Sequence, residues 1–130
     1  MKRFLVPLFA LFVASSCGNP LEGTWRSAEA RAGEYWTVQY RMVFVNEVLI
    51  VNYLCKWVPD GTVYNAVGSG YIKLTGKGFE VRREIEGESQ EYEPCRFTFG
   101  PGEFTTDFSP DHSFMILYGE SDALRFDRVE

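Results

Sequence analysis

The strongest constraint on the fold of this chain is the alternation of apolar and polar residues with a period of two. In one segment the apolar side chains are those of Trp36, Val38, Tyr40, Met42 and Phe44. In the next they are those of Leu49, Val51, Tyr53, Cys55 and Trp57. Because successive side chains of a β-strand point to opposite faces, each segment predicts a strand with one buried face. Helical periodicity is nearly absent, and segment 28–33 is expected to form a loop or a single turn.

Clusters of Gly, Pro, Asp and Asn divide the chain into about nine such segments, at intervals of roughly eight to twelve residues. Connections this short predict antiparallel pairing of consecutive strands in a meander. A meander of this length removes its exposed edges by closing on itself. The sequence therefore predicts an all-β fold, an antiparallel up-and-down β-barrel of eight or nine strands. Gly68 and Gly70 interrupt the predicted strand 63–75 and indicate a bulge or a corner of the barrel.

Composition limits the class of protein. Hydrophobic residues make up 45% and aromatic residues 16% of the 130 residues, which excludes intrinsic disorder. The chain has 13 Lys and Arg residues against 18 Asp and Glu residues, with a net charge of −5. This balance disfavours nucleic acid as a partner, because phosphate binding requires a basic surface.

The N-terminus has the organisation of a secretory signal. Lys2 and Arg3 precede an apolar run of about eleven residues, which is too short for a transmembrane helix of about twenty. The sequence ASSC at 14–17 resembles the lipobox of bacterial lipoproteins, with Ala in the place of the family's usual Leu. The resemblance implies a signal peptide over residues 1–16, diacylation of Cys17 and a short tether over 17–20. It also implies a lipid anchor in the cell envelope, and Gly18 favours the outer membrane, facing the periplasm; a secreted or periplasmic protein is the alternative.

Cysteine usage agrees with an extracytoplasmic location. If Cys17 is acylated, Cys55 and Cys95 remain as an even pair in an oxidising compartment, where disulfides persist. A bond between them would close a loop of about forty residues and stabilise the fold by roughly 4 kcal/mol through the entropy of the unfolded chain. A zinc site is disfavoured, because it needs about four nitrogen or sulfur ligands and the chain has a single histidine. No cofactor is expected.

The two ends of the predicted barrel domain, residues 21–130, resemble those of the lipocalins and their calycin relatives. Residues 21–25, Leu-Glu-Gly-Thr-Trp, resemble the Gly-x-Trp element of that superfamily, and residues 124–129, Leu-Arg-Phe-Asp-Arg-Val, resemble its closing strand. In the superfamily an arginine of the last strand packs across the tryptophan of the first. The resemblance implies a barrel cap in which the guanidinium of Arg128, or of Arg125 as the alternative, covers Trp25.

A barrel of eight strands has room for its own side chains or for one small ligand. Four aromatic residues on predicted inward faces are candidates for lining an apolar pocket, with filling of the core as the alternative. They are Tyr40, Phe44, Tyr53 and Trp57. Arg83 shares a predicted face with apolar residues, and a buried cation there would need an anionic partner such as a ligand carboxylate. The charged neighbours of Arg83 indicate the alternative, a break in register that places it in water.

No catalytic constellation is evident in the sequence. Asp111 beside His112, the single histidine, would point to the opposite side of a strand and would not orient the imidazole. The acidic residues between 84 and 93 predict a solvated hairpin, or alternatively an acidic surface for a basic protein. We expect a non-enzymatic lipoprotein whose barrel binds a small apolar or amphipathic molecule. The alternative is a protein-binding barrel, a periplasmic enzyme inhibitor or a structural component of the envelope, which uses this hairpin or the loop at 100–102.

Overall fold

The computed structural model describes residues 19–129. The predicted signal peptide, residues 1–16, and Cys17 lie outside the described residues. In chain order the strands are β1 Gly23–Ser27, β2 Ala30–Arg31, β3 Trp36–Val45, β4 Val48–Trp57, β5 Thr62–Leu74, β6 Gly78–Val81, β7 Ile85–Glu88, β8 Arg96–Phe99, β9 Gly102–Phe108, β10 Phe114–Tyr118 and β11 Ala123–Val129. Within the described segment, no helix has the length and apolar character that a membrane span requires.

Eight of the strands form a closed antiparallel barrel, which confirms the predicted fold class. The order around the wall is β1, β11, β10, β9, β6, β5, β4 and β3, and β1 pairs with β3 to close it. Closure aligns Trp25 of β1 with Met42 of β3 on one side and with Arg128 of β11 on the other. The short strand β2 also pairs with β3, so the prediction of a loop or a single turn over 28–33 is wrong at residues 30 and 31. Each wall strand thus has two hydrogen-bonded neighbours, which removes the free edges of an open sheet.

The β3–β4 hairpin carries the predicted alternation without interruption. Trp36 pairs with Trp57 and Val45 pairs with Val48, so both strands stay in register over their full length. The even-numbered residues of β3 and the odd-numbered residues of β4 face the interior. Those with 1% exposure or less are Met42, Phe44, Leu49 and Val51. Asn46 turns the chain with a φ of 56°, in the left-handed region that Asn tolerates better than most residues.

Strands β7 and β8 form a separate hairpin outside the wall. The wall strands otherwise follow one another in chain order, as in the predicted meander, and the hairpin is an insertion that the prediction did not contain. β6 pairs directly with β9, and the hairpin between them packs on β5 and β4. A Cβ atom on Gly68 of β5 would clash with the backbone oxygen of Glu86, and one on Gly87 would meet the backbone of Val67 at 2.7 Å. Glycine at these positions therefore allows the backbones of β5 and β7 to come into direct contact.

The pairing of β5 shows that the expected bulge at Gly68 and Gly70 is absent. β5 is a single strand, and its pairing with β4 continues through both glycines without an extra residue. A Cβ atom on Gly70 would lie 2.8 Å from the side chain of Ile85. Since Gly68 and Gly70 lie on one face of β5, they leave a flat interior surface that the β7 strand covers.

A disulfide and aromatic contacts hold the hairpin in place. Cys95 of the hairpin is bonded to Cys55 of β4, with Cα atoms 6.0 Å apart, which confirms the predicted pair. The ring of Tyr92 stacks on that of Trp36 in β3, with centroids 4.8 Å apart and an interplanar angle of 7°. Phe97 of β8 is buried in the common hydrophobic core. The chain itself thus fills much of the barrel interior.

Candidate functional site

The closed end of the barrel is organised around Trp25 and Arg128, which the structure brings together. Trp25 is completely buried, and its indole nitrogen donates a hydrogen bond of 2.8 Å to the backbone oxygen of Leu21. The Arg128 guanidinium lies 4.2 Å from the centre of the Trp25 ring, whereas Arg125 lies over Phe114. The Arg128 guanidinium also donates hydrogen bonds of 2.8–3.0 Å to the backbone oxygens of Pro20, Glu22 and His112. One side chain thus joins the segment before β1, the last strand and the loop before β10.

The opposite end of the barrel carries a cleft of about 310 Å³, which we call the mouth cleft. It lies between the β7–β8 hairpin and the strands β3, β9, β10 and β11. Its apolar lining consists of Tyr40, Met42, Phe99, Phe104, Leu117, Leu124 and Phe126. Thr98, Gly100 and the turn at 119–122 complete the lining. An apolar concave surface with a few polar groups is the usual form of a small-molecule site.

Stacked aromatic rings support the mouth cleft from below. Phe99 and Phe104 stack with ring centroids 4.5 Å apart and an interplanar angle of 8°. Phe104 in turn stacks on Phe79 at 5.3 Å, and Phe79 meets Phe44 edge to face at 5.3 Å. Phe79 and Phe44 are both completely buried. The wall of the mouth cleft is therefore held by the core, and a ligand would meet a surface that is already formed.

Tyr40, one of the predicted ligand residues, lines the mouth cleft. Tyr53, another of them, packs against the ring of Tyr40 and is not itself part of the lining. Their ring centroids are 4.9 Å apart. Burial raises the pKa of Tyr40 above its ordinary value, and the neighbouring Tyr53 raises it further. Burial also raises the pKa of Tyr53. Both hydroxyl groups are therefore neutral at physiological pH and offer hydrogen bonds without a charge.

The three other predicted ligand residues lie away from the mouth cleft. Phe44 belongs to the buried core beneath it. Trp57 lies at the far end of β4, where its ring packs against Trp36 at 5.1 Å and Tyr35 at 5.3 Å. Arg83 is exposed in the segment between β6 and β7, because the strand breaks after Val81 and resumes at Ile85. The structure therefore does not bring the five residues to one cavity. Arg83 takes the solvated position that was predicted as the alternative.

Sequence analysis missed the part of the mouth cleft that the C-terminal strands supply. Leu117 of β10 and Leu124 of β11 are cross-strand partners, and Phe126 follows on the same face of β11. Period-two alternation places these side chains on inward faces. The alternation does not predict where the β7–β8 hairpin packs. The position of this hairpin determines which inward-facing side chains remain uncovered and can line the mouth cleft.

The loop before β10 gathers Ser109, Asp111, His112 and Ser113 in a structural arrangement. The Asp111 carboxylate accepts hydrogen bonds from the hydroxyl groups of Ser113 at 2.7 Å and Ser109 at 2.9 Å. These hydrogen bonds lower the pKa of Asp111 to about 2, and those from Ser113 have the largest effect. His112 has a φ of 60°, and its ring packs 5.3 Å from that of Phe108. Because the serine hydroxyl groups are directed to Asp111, this network stabilises the loop and has no nucleophile paired with a base.

Residues 19–129 contain no group of three or more His, Cys, Asp or Glu side chains placed to hold a metal ion. Comparisons of the chain with protein-family models, with curated proteins and with solved structures found no match. The geometry of the mouth cleft is therefore the main basis for assigning a function.

Proposed function

We propose that this protein is a non-catalytic binding module whose barrel holds a small apolar or amphipathic molecule in the mouth cleft. The observation that carries the proposal is the preformed, mainly apolar cleft of about 310 Å³. Small-molecule pockets span about 300–1,000 Å³, so this volume suits a compact ligand or one arm of a larger one. A long chain inside the barrel is disfavoured, because the β7–β8 hairpin occupies that space.

The lining of the mouth cleft favours a particular charge at the polar end of the ligand. Glu120 and Asp122 belong to the lining, and no Lys or Arg does. A ligand carboxylate would meet like charge there, whereas a neutral or cationic group would not. We therefore expect a neutral or cationic polar end, in place of the ligand carboxylate considered for Arg83.

We further propose that the module is a lipoprotein of the bacterial cell envelope, anchored through diacylated Cys17. The lipobox-like ASSC after a short apolar run supports the anchor. Two acyl chains hold a protein stably, where one would be marginal. The disulfide between Cys55 and Cys95 supports an oxidising compartment, because disulfides rarely persist in the cytosol. The outer membrane, facing the periplasm, is the proposed location.

Fluorescence titration of the purified chain with the neutral apolar probe N-phenylnaphthylamine tests the binding role. Leu124→Arg adds a cation to the lining of the mouth cleft, at a residue that is 41% exposed and tolerant of substitution. We expect the affinity to fall by about tenfold or more, because an apolar ligand would desolvate the new charge.

Tyr118→Arg is the matched control, because Tyr118 is also 41% exposed and is not part of the lining. It should bind the probe as the wild type does. Equal losses in both variants, or a wild type that does not bind the probe, would overturn the proposed role. If only Leu124→Arg loses affinity, native mass spectrometry of the chain from its own host would identify the natural ligand as a retained adduct.

A protein-binding role is the second candidate, because the β7–β8 hairpin presents carboxylates to solvent at the mouth. The exposed acidic residues of the hairpin are Glu86, Glu88, Glu91 and Glu93, and Glu84 lies in the segment just before it. These carboxylates suit a basic protein partner. That partner would be either an envelope enzyme that the barrel inhibits or a structural component of the envelope. Association would then slow as ionic strength rises. Substitution of both Glu86 and Glu88 by Lys should abolish such association and leave probe binding in the mouth cleft unchanged. If the association depends neither on ionic strength nor on this charge reversal, the candidate is excluded.

A further inference from the structure

An exposed apolar patch lies beside the point where the described chain begins. Tyr71 of β5 is 80% exposed, more than any other large hydrophobic side chain among the described residues. Val48, Tyr71 and Leu74 line one depression at the closed end of the barrel, together with Asn19, Asn46 and the carboxylates of Glu22 and Glu47. Leu74 is itself 37% exposed. We call Val48, Tyr71 and Leu74 the tether-side patch.

A positively charged groove of about 800 Å³, which we call the basic groove, borders the same patch and shares Val48 and Tyr71 with it. Its charged lining residues are Lys73, Arg82, Arg83, Glu47 and Glu84. Among the described residues Arg83 makes no ion pair, and Arg82 makes one long, exposed pair of 3.9 Å with Glu80. The basic groove thus carries more cations than carboxylates in a chain of net charge −5. The linings of the mouth cleft and of the depression at the tether-side patch each hold two carboxylates and no cation, so attraction to an anionic surface would come from the basic groove.

The short tether places this surface close to the membrane, if Cys17 is acylated as in the proposed function on which this inference rests. Cys17 precedes Asn19 by two residues. Consecutive Cα atoms are about 3.8 Å apart, so the Cα atom of Cys17 can be no more than about 8 Å from that of Asn19. A lipid on Cys17 therefore brings the closed end of the barrel to the bilayer and leaves the mouth on the far side.

We propose that the tether-side patch and the basic groove together dock on the phospholipid bilayer that holds the anchor. Tyr71 suits the interfacial region, because its ring is apolar and its hydroxyl group is polar. Lys73, Arg82 and Arg83 contact the lipid phosphates, which attract basic residues near an anionic surface. The acidic lining of the mouth cleft is repelled from the same surface. Docking thus gives the anchored barrel one orientation, with the mouth cleft open to solution.

Spin labelling of the full-length lipoprotein in vesicles of phosphatidylethanolamine and phosphatidylglycerol tests this orientation. Ser69→Cys places a nitroxide label in the exposed lining of the basic groove, and Ser121→Cys places one at the mouth. We expect the label at position 69 to be shielded from a water-soluble nickel chelate and the label at position 121 to remain accessible. Arg83→Gln should weaken docking about fivefold, the effect of one basic residue at an anionic surface. The matched control is Arg125→Gln, at another exposed arginine, which should have no effect on the shielding.

The mass of the N-terminal peptide reports the acylation of Cys17 separately from docking. An acylated chain with two equally accessible labels would overturn docking and leave the anchor standing. Shielding at position 121 in place of 69 would also overturn docking, because the mouth would then face the membrane. A chain without the acyl groups would overturn both, because the orientation is derived from the tether.

Discussion

Arg128 makes a set of contacts that few other residues can combine, because its planar guanidinium covers Trp25 and still reaches three backbone oxygens. Arg128→Met keeps an apolar contact with the indole and removes every donor. Hydrogen bonds from charged groups contribute about 1.5–3 kcal/mol each when buried. Since Arg128 is half-exposed, we expect a total loss of about 2–3 kcal/mol in the free energy of unfolding. Urea denaturation measures this loss.

The matched control for Arg128→Met is Arg125→Met on the same strand. Arg125 lies over Phe114 and pairs with Asp127 at 3.0 Å, but both members of that pair are more than half exposed. Exposed ion pairs contribute little, so this variant should remain within about 0.5 kcal/mol of the wild type. Equal losses in the two variants would show that the cap contributes no more than a surface contact.

Asp111 makes the loop at the closed end sensitive to acid. Hydrogen bonds from Ser113 and then Ser109 lower its pKa from 3.8 to about 2. Because the folded value lies below the unfolded one, the stabilisation is complete above the unfolded pKa and is lost as the pH falls through the folded pKa. Urea unfolding of the wild type and of Asp111→Asn at about pH 5 and about pH 2 measures the effect. The loss of stability on acidification should be smaller in Asp111→Asn, whereas Asp107→Asn, at an exposed residue of β9, should behave as the wild type. An unchanged acid dependence in Asp111→Asn would refute this role.

At the scale of elements, the contact between β5 and β7 depends on Gly68. Gly68→Ala places a methyl group against the backbone oxygen of Glu86, which cannot move away as a flexible side chain could. Overpacking of this kind costs about 1–3 kcal/mol, and we expect a loss of that size in the free energy of unfolding by urea denaturation. Gly76→Ala is the control, because its Cβ atom would meet no atom within 4 Å. That variant should be neutral or slightly more stable, and a similar loss in both variants would show that the backbone contact is not tight.

The β7–β8 hairpin also shows how far alternation alone predicts an element. The pattern predicted β3 and β4 together with their buried faces, because the period of a strand is a local property. It could not distinguish a wall strand from a strand packed on the wall, since either would bury Ile85 and expose Glu86. Gly68 and Gly70, two residues apart on one face, carried the missing signal. Two glycines spaced in this way are compatible either with a bulge or with a second backbone that lies across the strand, and here the second is observed.

At the scale of the whole molecule, the chain has two unlike ends. The closed end brings together the cap, the tether-side patch and part of the basic groove, and the mouth combines an apolar cleft with exposed carboxylates. The disulfide was predictable from two cysteines left for an oxidising compartment, and the cap from the resemblance of the chain ends to the lipocalins. The mouth cleft was not predictable from the sequence, because it is the space that remains after the hairpin has packed. Its walls come from strands that are distant in sequence. A site of this kind depends on tertiary packing, which single-strand patterns do not encode.

Removal of the disulfide should separate the hairpin from the barrel wall. The hairpin strands pair only with each other, whereas each wall strand has partners on both sides. In the double variant Cys55→Ala and Cys95→Ala, we expect a loss of roughly 4 kcal/mol in the free energy of unfolding, the chain-entropy value for the 40-residue separation. Native-state hydrogen exchange should then show amides of β7 and β8 exchanging well before those of β3 and β4.

The wall amides of β3 and β4 provide the internal control in the same sample. Probe affinity should fall in parallel with protection of the hairpin, because Phe99 at the end of β8 lines the mouth cleft. If the amides of the hairpin and of the wall instead lose protection together, the hairpin and the wall unfold as one cooperative unit. The prediction that the hairpin separates from the wall would then be wrong.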